Sequence, residues 1–358
     1  MNSFDIVHHR LLNQRIAGTP CNTPTKVVQW LGAVQAQDYP AAKWAVGLRA
    51  LNTTENDVEQ AITTGTILRT HVLRPTWHFV TPADIRWMLA LTAPRVNAAN
   101  AYYYRQQGLE DTVFRRSNTV LEKALQGGKQ LTRVELVSAL KQAGIVTENL
   151  GFLYLLIRAE LDGLICSGAP RGKQSTYALL AERAPQAKIL ARDEALAELT
   201  RRYFTSHGPA TIQDFVWWSG LTTADVKIGL EMIKSYLLHE TIDGRIYWFA
   251  EQTPPAKGLA QTAYLLPNYD EYIVGYTDRS AIFDTTHISK LDTRGNPLFQ
   301  HTMLLDGRIV GAWQRAFQKG AASITFSPFT ALSENERQAF AVAADQYGQF
   351  LHIPVSMP

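Results

Sequence analysis

A pattern that returns three times constrains this chain more than any single motif. Each time, segments with apolar residues spaced three and four apart run into two short β-branched or aromatic segments joined by a turn. In the first copy, residues 1–80, helices are predicted at 8–16, 24–35, 41–49 and 56–63. Val27, Val28, Leu31 and Val34 mark the buried face of the second. The period then changes to two over 67–72 and 76–80, with Arg74-Pro75 as the turn. The second copy, residues 81–185, has helices at 84–104, 118–127, 132–144 and 151–162, with Thr132 and Glu135 as a capping box. Its strands, 164–168 and 174–178, flank the turn 169–173. The third copy, residues 186–255, has helices at 192–206, 212–219 and 223–237. Its hairpin, 239–242 with 245–249, closes around Asp243-Gly244, a favoured two-residue turn. Helices feeding a short hairpin describe a winged helix-turn-helix. Three in a row, without obvious identity between copies, predict a repeated module.

After Thr253-Pro254-Pro255 the pattern shifts. Residues 264–267, 271–276, 302–305, 308–313 and 322–326 look like short strands, with Asp306-Gly307 as a hairpin turn. Residues 333–350 form an amphipathic helix capped by Ser333, with Glu336 three positions on. The expected class is mainly α with β hairpins (α+β): three tandem winged helix-turn-helix units plus a C-terminal β-barrel-like unit over 256–358, closed by one helix.

The formal charge of +3 forces no acidic partner, so any grip on a polyanion requires basic residues gathered on one face. The two cysteines, Cys21 and Cys166, sit in no C-x-x-C and have no histidine nearby, so neither a disulfide framework nor zinc is expected. No apolar run reaches membrane length and the first 18 residues lack a signal-peptide core. A soluble cytoplasmic monomer is expected, with no cofactor, metal or obligate protein partner.

The stretch most suggestive of chemistry is Leu31 to Pro40, which carries Gln35 and Gln37 two residues apart. Thr23 and Pro24 suit the start of the preceding helix, so the pair sits where that helix ends. In extended backbone, residues two apart point the same way, and both amides face one pocket. Asp38 follows directly, as a capping group, an ion-pair partner or a supporting catalytic group. The first hairpin adds Arg69, His71, Arg74, Trp77 and His78. Arg171, Lys173 and Gln174 lie in the second hairpin turn, either as backbone-contacting groups or as a solvated loop. Tyr102, Tyr103 and Tyr104 offer stacking faces or core packing. Asp270, Glu271, Asp278 and Arg279 read as structural links.

These residues carry a family resemblance. Gln35-Ala36-Gln37, Arg74-Pro75-Thr76-Trp77-His78, Pro267-Asn268-Tyr269-Asp270-Glu271 and Gly275-Tyr276-Thr277-Asp278-Arg279 make the chain similar, over most of its length, to the AlkZ-like (YcaQ-like) winged-helix DNA glycosylases. That family unhooks alkylated purines and some interstrand crosslinks. Its signature is Gln-x-Gln in one branch and Gln-x-Asp in another; Gln35 and Gln37 match the first. The resemblance implies three winged helices and a barrel curved around duplex DNA. It implies a monofunctional, metal-independent N-glycosylase acting on N3 or N7 alkyl adducts by water attack at the anomeric carbon. Gln35 and Gln37 would be catalytic, with Asp38 and His78 in support. Arg69, His71, Arg74, Trp77, Arg171, Lys173 and Gln174 would face DNA. The alternative is a non-catalytic winged-helix protein that binds DNA or regulates it.

Overall fold

Gly32 ends the second helix one turn before the apolar pattern does. In the computed structural model, which describes residues 5–251, 262–290, 296–318 and 320–357, that helix spans Pro24–Leu31 and starts on the Thr23 side chain, which accepts from the Lys26 amide. At Gly32 φ is 84°, a conformation open to glycine and strained for other residues. The chain leaves the helix there, so the predicted extension to Gln35 is corrected. Val34–Gln35 is instead a short strand, with Val34 opposite Phe79 and Gln35 opposite His78. The next helix is Tyr39–Gly47, two residues earlier than expected, because the Asp38 carboxylate accepts from the Ala41 amide and Pro40 fits its first turn.

Among the described residues the strands make four sheets. In the first, Trp77–Val80 lies between Val34–Gln35 and Leu68–His71. In the second, Thr176–Leu179 lies between Leu131–Thr132 and Ile165–Ser167. The third is the hairpin Leu237–Ile242 with Arg245–Ala250. Each follows helices, as the repeat predicts: Glu55–Thr64 before the first hairpin, Asn149–Leu161 before the second, Thr223–Ile233 before the third.

The fourth sheet has five strands, in the order Val355–Ser356, Ala321–Pro328, Arg308–Gln318, Thr302–Leu305, Ala263–Leu266. Its two edge strands do not pair with each other among the described residues, so the sheet is a curled half-barrel. The helix Glu334–Leu351 begins on the expected Ser333–Glu336 capping box. One expected strand is a helix: Glu271–Val274, opened by the Asp270 side chain, which accepts from the Tyr272 amide. All four residues of that helix are buried. No polar face marks their period, and a short apolar run does not separate strand from helix. The boundary expected at Thr253–Pro255 lies outside the described residues.

Apolar cores cross between these groups. Val27, Leu31, Trp44 and Phe79 pack in one cluster with Leu265, Trp313, Phe340 and Tyr347 from the C-terminal sheet and helix. Leu68 and Val80 share another with Leu199, Tyr203, Trp218 and Tyr276. Two ion pairs, one buried and one partly buried, add ties of opposite charge. Arg49 grips Asp270 with two bonds of 2.7 and 2.8 Å. Arg202 grips Asp84 with bonds of 2.7 and 2.9 Å.

Candidate active site

The first hairpin is held tightly at its turn. Leu73 is buried with φ at 64°, an uncommon conformation for a residue with a side chain. Gly220 permits it: a Cβ there would lie 2.4 Å from the Leu73 carbonyl oxygen. This places Arg74 where its Nη2 donates to Gln35 Oε1 at 2.8 Å and its Nη1 to the Trp217 carbonyl at 3.3 Å. Burial lowers the pKa of Arg74 from its free value, and Glu271 opposes the shift.

Register divides the candidate residues between two faces of the sheet. Directly opposed residues of an antiparallel pair point the same way. Gln35 lies opposite His78, and His78 opposite Thr70, so these three form one row. Arg69, His71 and Trp77 alternate with that row and lie on the other face.

On the first face Gln35 is buried and its amide nitrogen makes no hydrogen bond among the described residues. Its backbone N–H donates to Glu271 Oε1 at 2.6 Å. The other Glu271 oxygen accepts from Trp218 Nε1 at 2.8 Å and faces His207 Nε2 at 3.4 Å. Burial pushes the Glu271 pKa up, but the His207 contact and the Gln35 amide outweigh it, and the net shift is downward. Gln37 is exposed, and its Oε1 accepts from the Trp77 amide at 3.4 Å. Both carboxamides therefore meet the same hairpin turn, one buried and one at the surface. Asp38 has both oxygens engaged, by the Ala41 amide and by Asn268 Nδ2 at 3.2 Å.

His78 is fully buried, and its Nδ1 donates to the Thr76 carbonyl at 3.0 Å, which leaves Nε2 as the acceptor. Burial and the Arg74 charge push its pKa down to about 3. A histidine held low in the folded chain binds its proton more weakly there than when unfolded. Its contribution to stability is whole above about pH 6.5 and is lost as pH falls toward the folded value, at up to about 1.4 kcal/mol per unit. Melting temperature should fall between pH 7 and 5, and His78→Gln should flatten that dependence. An unchanged slope in the variant would remove His78 from the account.

On the second face Arg69 donates to the Ala36 carbonyl at 2.8 and 3.1 Å and lies 4.3 Å from the Trp77 ring centroid. His71 Nδ1 contacts the buried Glu160 carboxylate. A cavity of about 1110 Å³ opens on this side, lined by Tyr39, Lys43, Arg69, Trp77, Lys173 and Tyr177. Gln174 also borders it. Arg171 turns back on its own group, to Glu135 at 2.9 Å and the Gln130 carbonyl at 2.7 Å. Tyr102 and Tyr103 are exposed, whereas Tyr104 is buried.

Two residues beside Gln35 escape the sequence reading in different ways. Glu271 reads as a structural link, yet it bonds directly to the Gln35 backbone. Trp217 draws no attention, although adjacent tryptophans on a helix point about 100° apart and only one can fill the core. Trp218 does so, and Trp217 is 42% exposed. No group of three His, Cys, Asp or Glu side chains among the described residues could hold a metal ion. No helix there is long and apolar enough to cross a membrane.

With this geometry in place, known proteins give the arrangement a context. A solved structure, the Streptomyces sahachiroi DNA glycosylase AlkZ, shares the fold with a TM-score of 0.81 at 21% identity, over 99% of this chain and 98% of that one. An interstrand DNA cross-link repair glycosylase from Streptomyces sahachiroi is 26% identical over 305 residues, covering 80% of this chain and 81% of that protein. The family model described as DNA glycosylase AlkZ-like matches residues 28–350. The chain belongs to the AlkZ-like DNA glycosylase family.

Proposed function

We propose that this chain hydrolyses the N-glycosidic bond of cationic alkylated purines in duplex DNA, N3 and N7 adducts and interstrand crosslinks among them. The observation that carries the reading is the anchoring of Gln35 and Gln37 on one hairpin turn, through Arg74 and the Trp77 amide. The similarity to a cross-link repair glycosylase supports the inclusion of crosslinks.

An alkylated purine already carries the positive charge that makes it a leaving group. The C–N bond breaks with its electron pair going to the base, which departs neutral. The sugar becomes an oxocarbenium-like cation, water adds at the anomeric carbon, and one proton goes to solvent. No strong acid is needed. Fixed dipoles and a positioned water suffice, unlike the paired carboxylates of ordinary glycoside hydrolysis. Gln37, exposed, turns its amide to water and sugar. Gln35, its carbonyl held by Arg74, keeps its NH₂ group for a phosphate or base oxygen. His78 orients the turn through the Thr76 carbonyl, and Asp38 fixes the start of the next helix.

The three groups of helices and hairpins are three winged helices, over 1–80, 81–185 and 186–255, and 256–358 forms the half-barrel unit. Phosphates are met by Lys173, with the Arg69–Trp77 face as a second contact, and Arg171 holds the turn that presents Lys173. The protein acts as a monomer and without metal. Incubation with a duplex carrying N7-methylguanine should release free base and leave alkali-sensitive abasic sites faster than spontaneous depurination. Duplex binding with no release above background across several cationic lesions would favour a non-catalytic binding protein instead.

A further inference from the structure

Trp217 stands out among the exposed apolar residues because it is pinned. Its Nε1 donates to the Val274 carbonyl at 2.9 Å, so the ring is tethered at one edge while 42% of the residue meets solvent. Core packing does not require it there, since Trp218 fills the interior at 0% exposure. Two guanidinium groups flank it: the Arg74 carbon Cζ lies 5.7 Å from the ring centroid and the Arg279 Cζ lies 5.9 Å away. Arg74 reaches the Trp217 carbonyl with Nη1 and Gln35 with Nη2, so one side chain links the indole to the carboxamide. Arg279 is braced by the Ile273 carbonyl at 2.9 Å and the Thr277 carbonyl at 3.4 Å, and its Nη2 is buried without a hydrogen-bond partner among the described residues. Neither arginine makes an ion pair among them.

A tethered, partly exposed π face beside two guanidinium groups that form no ion pair among the described residues matches the chemistry of a nucleotide. An aromatic face stacks on any base, and guanidinium charge attracts the phosphodiester. We propose that Trp217, with Arg74 and Arg279, is the seat for one nucleotide of the strand that carries the lesion. The indole packs on the base or sugar next to the reacting one, and Arg279 draws the phosphate. The tethered ring then fixes the distance between that nucleotide and Gln35. This rests on the DNA-directed reading above.

Trp217→Ala, Trp217→Phe and Arg279→Gln in the full chain test the seat. Fluorescence anisotropy is read on labelled undamaged and N7-methylguanine duplexes over a salt series, with base release followed in parallel. Trp217→Ala should weaken binding about tenfold, as loss of one stacked base does. Its salt slope should match wild type, because no charge is removed. Trp217→Phe keeps the face and loses the tether, and should bind close to wild type. Arg279→Gln should reduce the salt slope by about one. The seat is overturned if Trp217→Ala binds as tightly as wild type with an unchanged melting temperature. It is also overturned if Trp217→Phe falls as far as Trp217→Ala, since the tether alone would then matter. Wild type that binds duplex but releases no base would sink the enzymatic reading and leave the seat intact. Wild type that binds no duplex would remove both.

Discussion

Replacing Gln35 or Gln37 by alanine should slow release of N7-methylguanine by about 10²–10³, which is about 2.7–4 kcal/mol in the barrier. Both side chains are neutral, so binding to undamaged duplex, set mainly by phosphate contacts, should change little. The two variants should also differ from each other. Gln35 is buried and accepts from Arg74, so its removal leaves a guanidinium without that partner and should lower melting temperature as well as rate. Gln37 is exposed and held by one 3.4 Å bond, so its removal should spare stability. Single-turnover base release, corrected for spontaneous depurination, together with thermal melts reads both effects. A double variant as fast as wild type would move the site elsewhere on the chain.

The largest stability effect should come from Asp270→Ala. Arg49 and Asp270 are both fully buried and form a two-bond pair, and Arg49 also bonds the Gln14 and Ala45 carbonyls. Removing the carboxylate strands a charge in the interior, at a cost of about 3–5 kcal/mol. Denaturant titration should show that loss. Replacing both partners, as in Arg49→Met with Asp270→Leu, should recover most of it, because an apolar pair of similar volume carries no stranded charge. A double variant no more stable than Asp270→Ala would mean that the Arg49 bonds to Gln14 and Ala45 matter more than the ion pair.

Local chemistry made much of the helical frame legible in the sequence. The helices Arg192–Ser206 and Ile212–Ser219 fall where their apolar period predicts, and the Thr132–Glu135 and Ser333–Glu336 capping boxes start the helices they announce. Failures cluster where a distant partner decides. Val34–Gln35 continues a helical period but becomes a strand, because Gly32 breaks the helix and Trp77–Val80 offers an edge to pair with. Glu271–Val274 reads as a strand because it is buried on all sides and shows no period. The sequence singled out candidate residues without their geometry. Gln35, Arg74 and the hairpin meet as the motifs suggest. Which of them share a face follows from strand register alone, and that register separates Arg69, His71 and Trp77 from Gln35.

The bond from the Gln35 amide to Glu271 spans 236 positions of sequence. At roughly 5–20 residues per second of synthesis, Glu271 leaves the ribosome about 10–50 s after Gln35. During that interval the strand that carries Gln35 lacks the carboxylate to which its backbone bonds. The nascent N-terminal half therefore holds Gln35 without the Glu271 bond that fixes its backbone. The contact between Gln35 and Glu271 therefore forms late in synthesis, after all three hairpins have left the ribosome.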